Sequence, residues 1–182
     1  KATLISKNVS PEQFNKLNNE CSGQLKGYVL AKFADIYEKS YRDKGSAIRL
    51  RDMACEKGSA RACVRLGMDY ETGKIAPKPE EDNQSTALSY FKKGYRFGDP
   101  KAAFECWWIA KNRDPDLGWK CLELAVKKNH TETLIWFSND TEVGPFGNKE
   151  KKYFLKNKVC PKLKQLKNNK SVSPKNREKI SK

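Results

Sequence analysis

Six cysteines and one histidine set the reactive chemistry open to this 182-residue chain. Thiols can hold a metal, attack a substrate or cross-link a fold. Structural zinc sites draw on closely spaced cysteine pairs, often completed by histidine. Here no two of Cys21, Cys55, Cys63, Cys106, Cys121 and Cys160 form a CxxC pair, and His130 is the only imidazole. A metal site is therefore not expected. An even number of thiols without metal spacing fits disulfides, and hence an oxidising compartment, better than six separate buried thiols in a reducing cytosol. Cys55 and Cys63 lie eight residues apart and Cys106 and Cys121 fifteen, while Cys21 and Cys160 fall near the two ends. Count and spacing alone leave the partners open.

Catalytic constellations were sought in the same way. There is no Gly-rich phosphate loop, GxSxG elbow or HExxH helix, so no catalytic residue and no cofactor is expected. His130 stands at a turn between two helical stretches, where a surface or capping role is the expectation. Glu80-Glu81-Asp82, beside Pro77 and Pro79, reads as a solvated charge run. Asn-x-Ser/Thr matches, among them Asn83, Asn129 and Asn139, bear only on a eukaryotic host.

The elements that must position these residues are helical. Ala, Leu, Lys, Glu and aromatics dominate, with Val and Ile scattered. Ser10-Pro11-Glu12-Gln13 is a helix start with a capping box, followed by Phe14, Leu17 and Cys21 on one face. Further helices are predicted over 24–41, 47–57, 60–72, 84–97, 101–112, 117–129 and 131–138. Gly45-Ser46, Gly58-Ser59, the loop 73–83, Gly98-Asp99-Pro100 and Asp114-Pro115-Asp116 supply the breaks. Gly58 is placed as a C-terminal cap and Ser59 as the next N-cap. No stretch reaches the roughly 18 apolar residues of a membrane span. The chain opens on Lys1, as a mature or trimmed form would.

The net charge of +15 is uneven: Lys149 to Lys182 hold thirteen basic residues against Glu150 and Glu178, whereas the first 148 residues hold 24 basic and 20 acidic. The body is close to balance and the basicity belongs to the tail, which argues against a uniformly basic nucleic-acid-binding face. Residues 1–148 are expected to form the repeat domain. Residues 149–182 are expected to form a basic amphipathic helix to Val159 and then a disordered tail from Asn168.

Self-similarity gives the fold class. Gly58-Ser59-Ala60-Arg61-Ala62-Cys63 aligns with Gly98-Asp99-Pro100-Lys101-Ala102-Ala103 at a period of 40; a shift of 33 sets Tyr70 on Tyr37, and a shift of 31 carries Ala102 to Thr133. Leu66-Gly67 with Tyr70 and Gly73, then Ala87-Leu88, Tyr90-Phe91, Gly94, Gly98-Asp99-Pro100 and Ala102-Ala103, resemble the Sel-one-like repeat, a relative of the tetratricopeptide repeat. The likeness is strongest over 47–103. It implies an all-α fold, an α-solenoid of stacked antiparallel helix pairs with a concave groove. The Ala54-Cys55 to Cys63 spacing resembles the cysteine-rich branch of that family in secreted bacterial proteins, where such a pair cross-links the helices of a repeat. Here Cys55 and Cys63 flank Ser59 evenly, and Cys106 and Cys121 flank Arg113-Asp114. Both pairs are therefore expected to be bridged, leaving Cys21 and Cys160 by elimination.

One departure from the family stands out. Trp107 occupies the position of Gly67 in the preceding repeat, and Trp108 points about 100° away from it. Either both are core aromatics in a swollen repeat or one is an exposed anchor in the groove. The resemblance implies a periplasmic or secreted bacterial protein that binds another protein; if the groove is the binding surface, the aromatics near the irregular repeat, Trp107 and Trp108 first and Tyr70 and Tyr95 next, are the expected contacts. An immunity protein covering a secreted toxin, or an adaptor tethering envelope or host proteins, both fit. Two rivals come from other classes. The basic tail could engage an anionic membrane surface or nucleic acid, although the latter would want more interleaved aromatics than Phe154. Penicillin-binding or β-lactamase activity, ascribed to cysteine-rich relatives, would need a Ser-x-x-Lys nucleophile with its Ser-Asp-Asn and Lys-Thr-Gly companions; Ser89-Tyr90-Phe91-Lys92 has the first spacing, but neither companion motif occurs in the sequence.

Overall fold

The computed structural model describes residues 16, 23–134, 155–162 and 165. All regular structure among them is helical: α1 (Gly23–Ser40), α2 (Lys44–Glu56), α3 (Ala60–Glu71), α4 (Asn83–Arg96), α5 (Pro100–Ala110), α6 (Pro115–Lys127) and a π-helical turn, Leu155–Val159. The helix expected from Ser10 lies outside the described residues except for Lys16, which is helical. The tail from Asn168 and most of the helices expected over 131–138 and 149–159 also lie outside them. No helix is long and apolar enough to cross a membrane, among the described residues.

The chain divides into two compact units, Lys1–Phe97 and Gly98–Lys182. In the first, α1 packs on α2, α2 on α3 and α3 on α4; in the second, α5 packs on α6 and α6 on the π-helical turn. Pairings across these interfaces run in opposite senses. Gly67 of α3 faces Phe91 of α4 while Tyr70 meets Tyr90, and Cys106 of α5 meets Cys121 of α6 while Lys111 meets Gly118. The helices of these pairs therefore run antiparallel.

The ends of the helices are fixed by local chemistry. Asp43, Asp82, Asp99 and Asp114 are N-caps whose carboxylates accept the amides of Ser46 (2.9 Å), Ser85 (2.8 Å), Ala102 (2.7 Å) and Leu117 (3.1 Å). Pro100 and Pro115 sit where a missing N–H costs nothing. At the other end α2, α3 and α6 close with one motif, in which a residue at positive φ (Gly58, Gly73, Asn129) and its successor return amides to the last turn. The break expected at Gly45-Ser46 lies two residues earlier, because Asp43 caps α2 and draws both residues into its first turn. Ser59 holds the N-cap position of α3 as expected, but its hydroxyl makes no capping bond.

Small residues set the helix spacing. A Cβ on Gly67 would lie 2.5 Å from the Phe91 ring, and one on Gly118 would lie 3.2 Å from the Lys111 backbone. The core of the first unit gathers Val29, Leu30, Phe33 and Ala34 of α1, Leu50, Ala54 and Cys55 of α2, and Ala62, Cys63 and Leu66 of α3. In the second, Ala102, Ala103, Cys106, Trp107, Cys121, Leu122 and Ala125 are buried.

His130 acts as a cap. Its Nδ1 lies 2.7 Å from Thr133 Oγ1 and accepts, at 3.4 Å, the Thr133 amide. Burial lowers its pKa, against weaker upward pulls from Glu132 and Asp99. The sign follows: below about pH 6.5 the unfolded ring gains a proton while the folded ring resists it, so stability falls as acid is added. Lowering the pH from about 7.5 to about 5.5 is expected to shift the unfolding midpoint of the wild type more than that of His130→Asn, which keeps an acceptor and cannot titrate. Parallel pH profiles in calorimetry would contradict this.

Candidate functional site

Two surfaces combine fixed geometry with unusual chemistry, one in each unit. In the first, Arg51 of α2 is 3% exposed, and its guanidinium donates to two carboxylates of α1, Asp35 (3.2 Å) and Glu38 (2.5 Å). A buried charge survives only when paired in this way. Burial works to lower the Arg51 pKa, but the hydrogen bonds to Glu38 and Asp35 outweigh it and raise the pKa. Glu38 is held below the usual carboxylate range, chiefly by its bond from Arg51. Arg65 of α3 extends the network: its Nε donates to Asp69 at 3.1 Å, and its terminal nitrogen lies 3.6 Å from Glu38.

Beside this network opens a cleft of about 270 Å³. Glu38 enters it from α1, Lys44, Ile48 and Arg51 from α2, and Arg65 and Asp69 from α3, with Lys74 and Ile75 just beyond. Four cations thus face two acids. None of these residues was singled out from the sequence. Arg65 and Asp69 stand at i, i+4 and were visible as a helical ion pair, but Asp35 and Arg51 are sixteen residues apart on different helices, a juxtaposition no local signal gives.

In the second unit the two tryptophans part company. Trp107 is 1% exposed and Trp108 42%. Their rings meet edge to face at 5.8 Å, and Phe104 lies 5.6 Å from Trp107 and 5.5 Å from His130. The Lys111 amine lies 3.7 Å from the Trp108 ring centre and 5.2 Å from that of Trp107, one turn along the helix. In the same unit, Glu123, Val126 and Lys127 of α6 with Lys158 and Lys162 line a second cavity of about 390 Å³.

The other two aromatics named from the sequence belong to the first unit. Tyr70 is half-buried and stacks on Tyr90 at 5.4 Å, with the planes 10° apart. Tyr90 donates to Asp52 at 2.9 Å, and burial, aided by that bond, pushes its phenol pKa up, so it remains a donor. Lys93 lies over Tyr90 and pairs with Glu56. Tyr70 thus helps join α3 to α4, and Tyr95 is half-buried on α4.

The cysteines meet as paired. Cys55 and Cys63 are bridged with Cα atoms 4.8 Å apart, and Cys106 and Cys121 with Cα atoms 6.1 Å apart. All four are buried. Cys160, among the described residues, is exposed and unbridged; Cys21, its partner expected by elimination, lies outside them. Among the described residues no three His, Cys, Asp or Glu side chains converge as metal ligands do. No protein-family model matches the chain, and no curated protein or solved structure is significantly similar to it.

Proposed function

We propose that this chain is a non-catalytic, protein-binding repeat module of the Sel-one-like type, an α-solenoid working in the periplasm or outside the cell. Its role is to cover a secreted toxin as an immunity protein or to tether an envelope or host protein. The antiparallel helix pairs, their repeated positive-φ caps and two bridges, one within the pair α5–α6 and one joining α2 to α3, support the repeat reading and the oxidising compartment.

The observation that carries the binding role is Trp108. A tryptophan left 42% exposed between buried Trp107 and Ile109 presents a large rigid surface from a fixed helix, with Lys111 over its face. Tryptophans of this kind dominate the energetics of protein interfaces. Protein recovered from the native envelope on the immobilised full chain, then titrated against wild type and Trp108→Ala at two salt concentrations, tests it. The substitution is expected to cost at least about 2 kcal/mol, roughly thirty-fold in affinity, at both salts. Unchanged affinity would remove Trp108 as the anchor.

A second reading rests on charge. The cavity lined by Lys127, Lys158 and Lys162 extends the basic character of the tail into the described residues and would suit an anionic membrane surface. Binding through it would weaken steeply with salt and ignore Trp108.

A further inference from the structure

We infer that the cleft between α1, α2 and α3 is a docking site for an acidic segment of a partner protein, one carrying aspartate or glutamate side chains beside an aliphatic one. The inference rests on the protein-binding reading above and adds the chemistry of the bound segment.

The lining divides into a committed floor and an uncommitted rim. On the floor, Arg51 is saturated by Asp35 and Glu38, and Asp69 is taken by Arg65. This network ties three helices together and needs nothing further. The rim is different. Lys44 makes no ion pair among the described residues, and Lys74 reaches Asp69 only at 3.9 Å with two-thirds of its side chain exposed. Neither amine strengthens the tie, yet both stand at the mouth of the cleft. Arg65 is half exposed and, with Nε and one terminal nitrogen engaged, keeps further N–H donors for an incoming acceptor. Counting Asp35 behind Arg51, three acids stand against four cations, and the surplus positive charge falls on Lys44 and Lys74 at the rim of a recess whose protein walls reduce screening.

The remaining walls select the anion. Ile48 and Ile75 are half-buried and line the same cleft. A phosphate or sulfate gains nothing from them, whereas a peptide placing an aliphatic side chain next to carboxylates uses both kinds of wall. The volume, just below the roughly 300–1,000 Å³ of small-molecule pockets, suits one or two side chains.

Isoleucine methyl labelling of the full chain reads the site directly, because Ile48 and Ile75 are two of only seven isoleucines; Ile48→Val and Ile75→Val assign their signals. The probes are the capped tripeptide Glu-Ile-Glu, its Gln-Ile-Gln counterpart and sodium sulfate. Glu-Ile-Glu is expected to move both signals saturably in the range of about 1–10 mM. Lys44→Gln/Lys74→Gln, with helicity checked by circular dichroism, should weaken this at least about tenfold, and Trp108→Ala should leave it unchanged. No movement, equal movement with Gln-Ile-Gln, or sulfate binding as tightly as the acidic peptide would each overturn the inference. Partner binding that depends on Trp108 would stand in all three cases. Conversely, a cleft that takes the peptide while Trp108 proves silent would overturn only the anchor.

Discussion

Alanine at both Cys55 and Cys63 is expected to lower the unfolding free energy by about 2.5 kcal/mol, and alanine at both Cys106 and Cys121 by about 3 kcal/mol. The bridges span separations of eight and fifteen residues, and freeing a closed loop raises the entropy of the unfolded chain by an amount that grows slowly with its length. The two bridges lie in different compact units and share no partner, so their losses should nearly add. The sum, about 5–6 kcal/mol, rivals the whole stability of many domains. Urea unfolding of oxidised wild type, reduced wild type and the two double variants measures each part. Reduction should reproduce the fourfold alanine variant. Coincident curves for oxidised and reduced protein would mean that the helices hold without their bridges and would remove the main support for an oxidising compartment.

The cysteine pairs were legible because each is centred on a turn that local residues announce. The same holds for the helix boundaries: an Asp or Gly acts within three or four residues, so Asp99 before Pro100, and Gly58 after α2, could be read directly. Gly45-Ser46 misled because a glycine beside a serine resembles a break, whereas Asp43 upstream offers the stronger cap. Long-range chemistry was silent. Nothing near Arg51 in sequence tells that it is buried, since its partners come from α1 and its cover from three helices. The cleft and its lysines were invisible for the same reason. The tryptophans were legible by halves: adjacency fixed that one packed face could not easily hold both, but which ring turned inward depended on the partner helix.

That division makes the two rings separable by experiment. Trp107→Ala is expected to cost about 3–5 kcal/mol, because it empties the largest fully buried side chain among the described residues and its neighbours can close only part of the void. Trp108→Ala should cost about 1 kcal/mol, chiefly the lost contact with Lys111 and the Trp107 edge. Trp107→Phe should fall between them, since it keeps a ring against Phe104 but leaves a smaller void. Thermal unfolding followed by circular dichroism orders the three. The order bears on function as well as stability. A partner lost by Trp107→Ala reports an unfolded helix pair, whereas a partner lost by a fully folded Trp108→Ala reports a missing contact. If Trp108→Ala unfolds as readily as Trp107→Ala, the exposed ring is holding the fold together, and the aromatic anchor must be sought elsewhere.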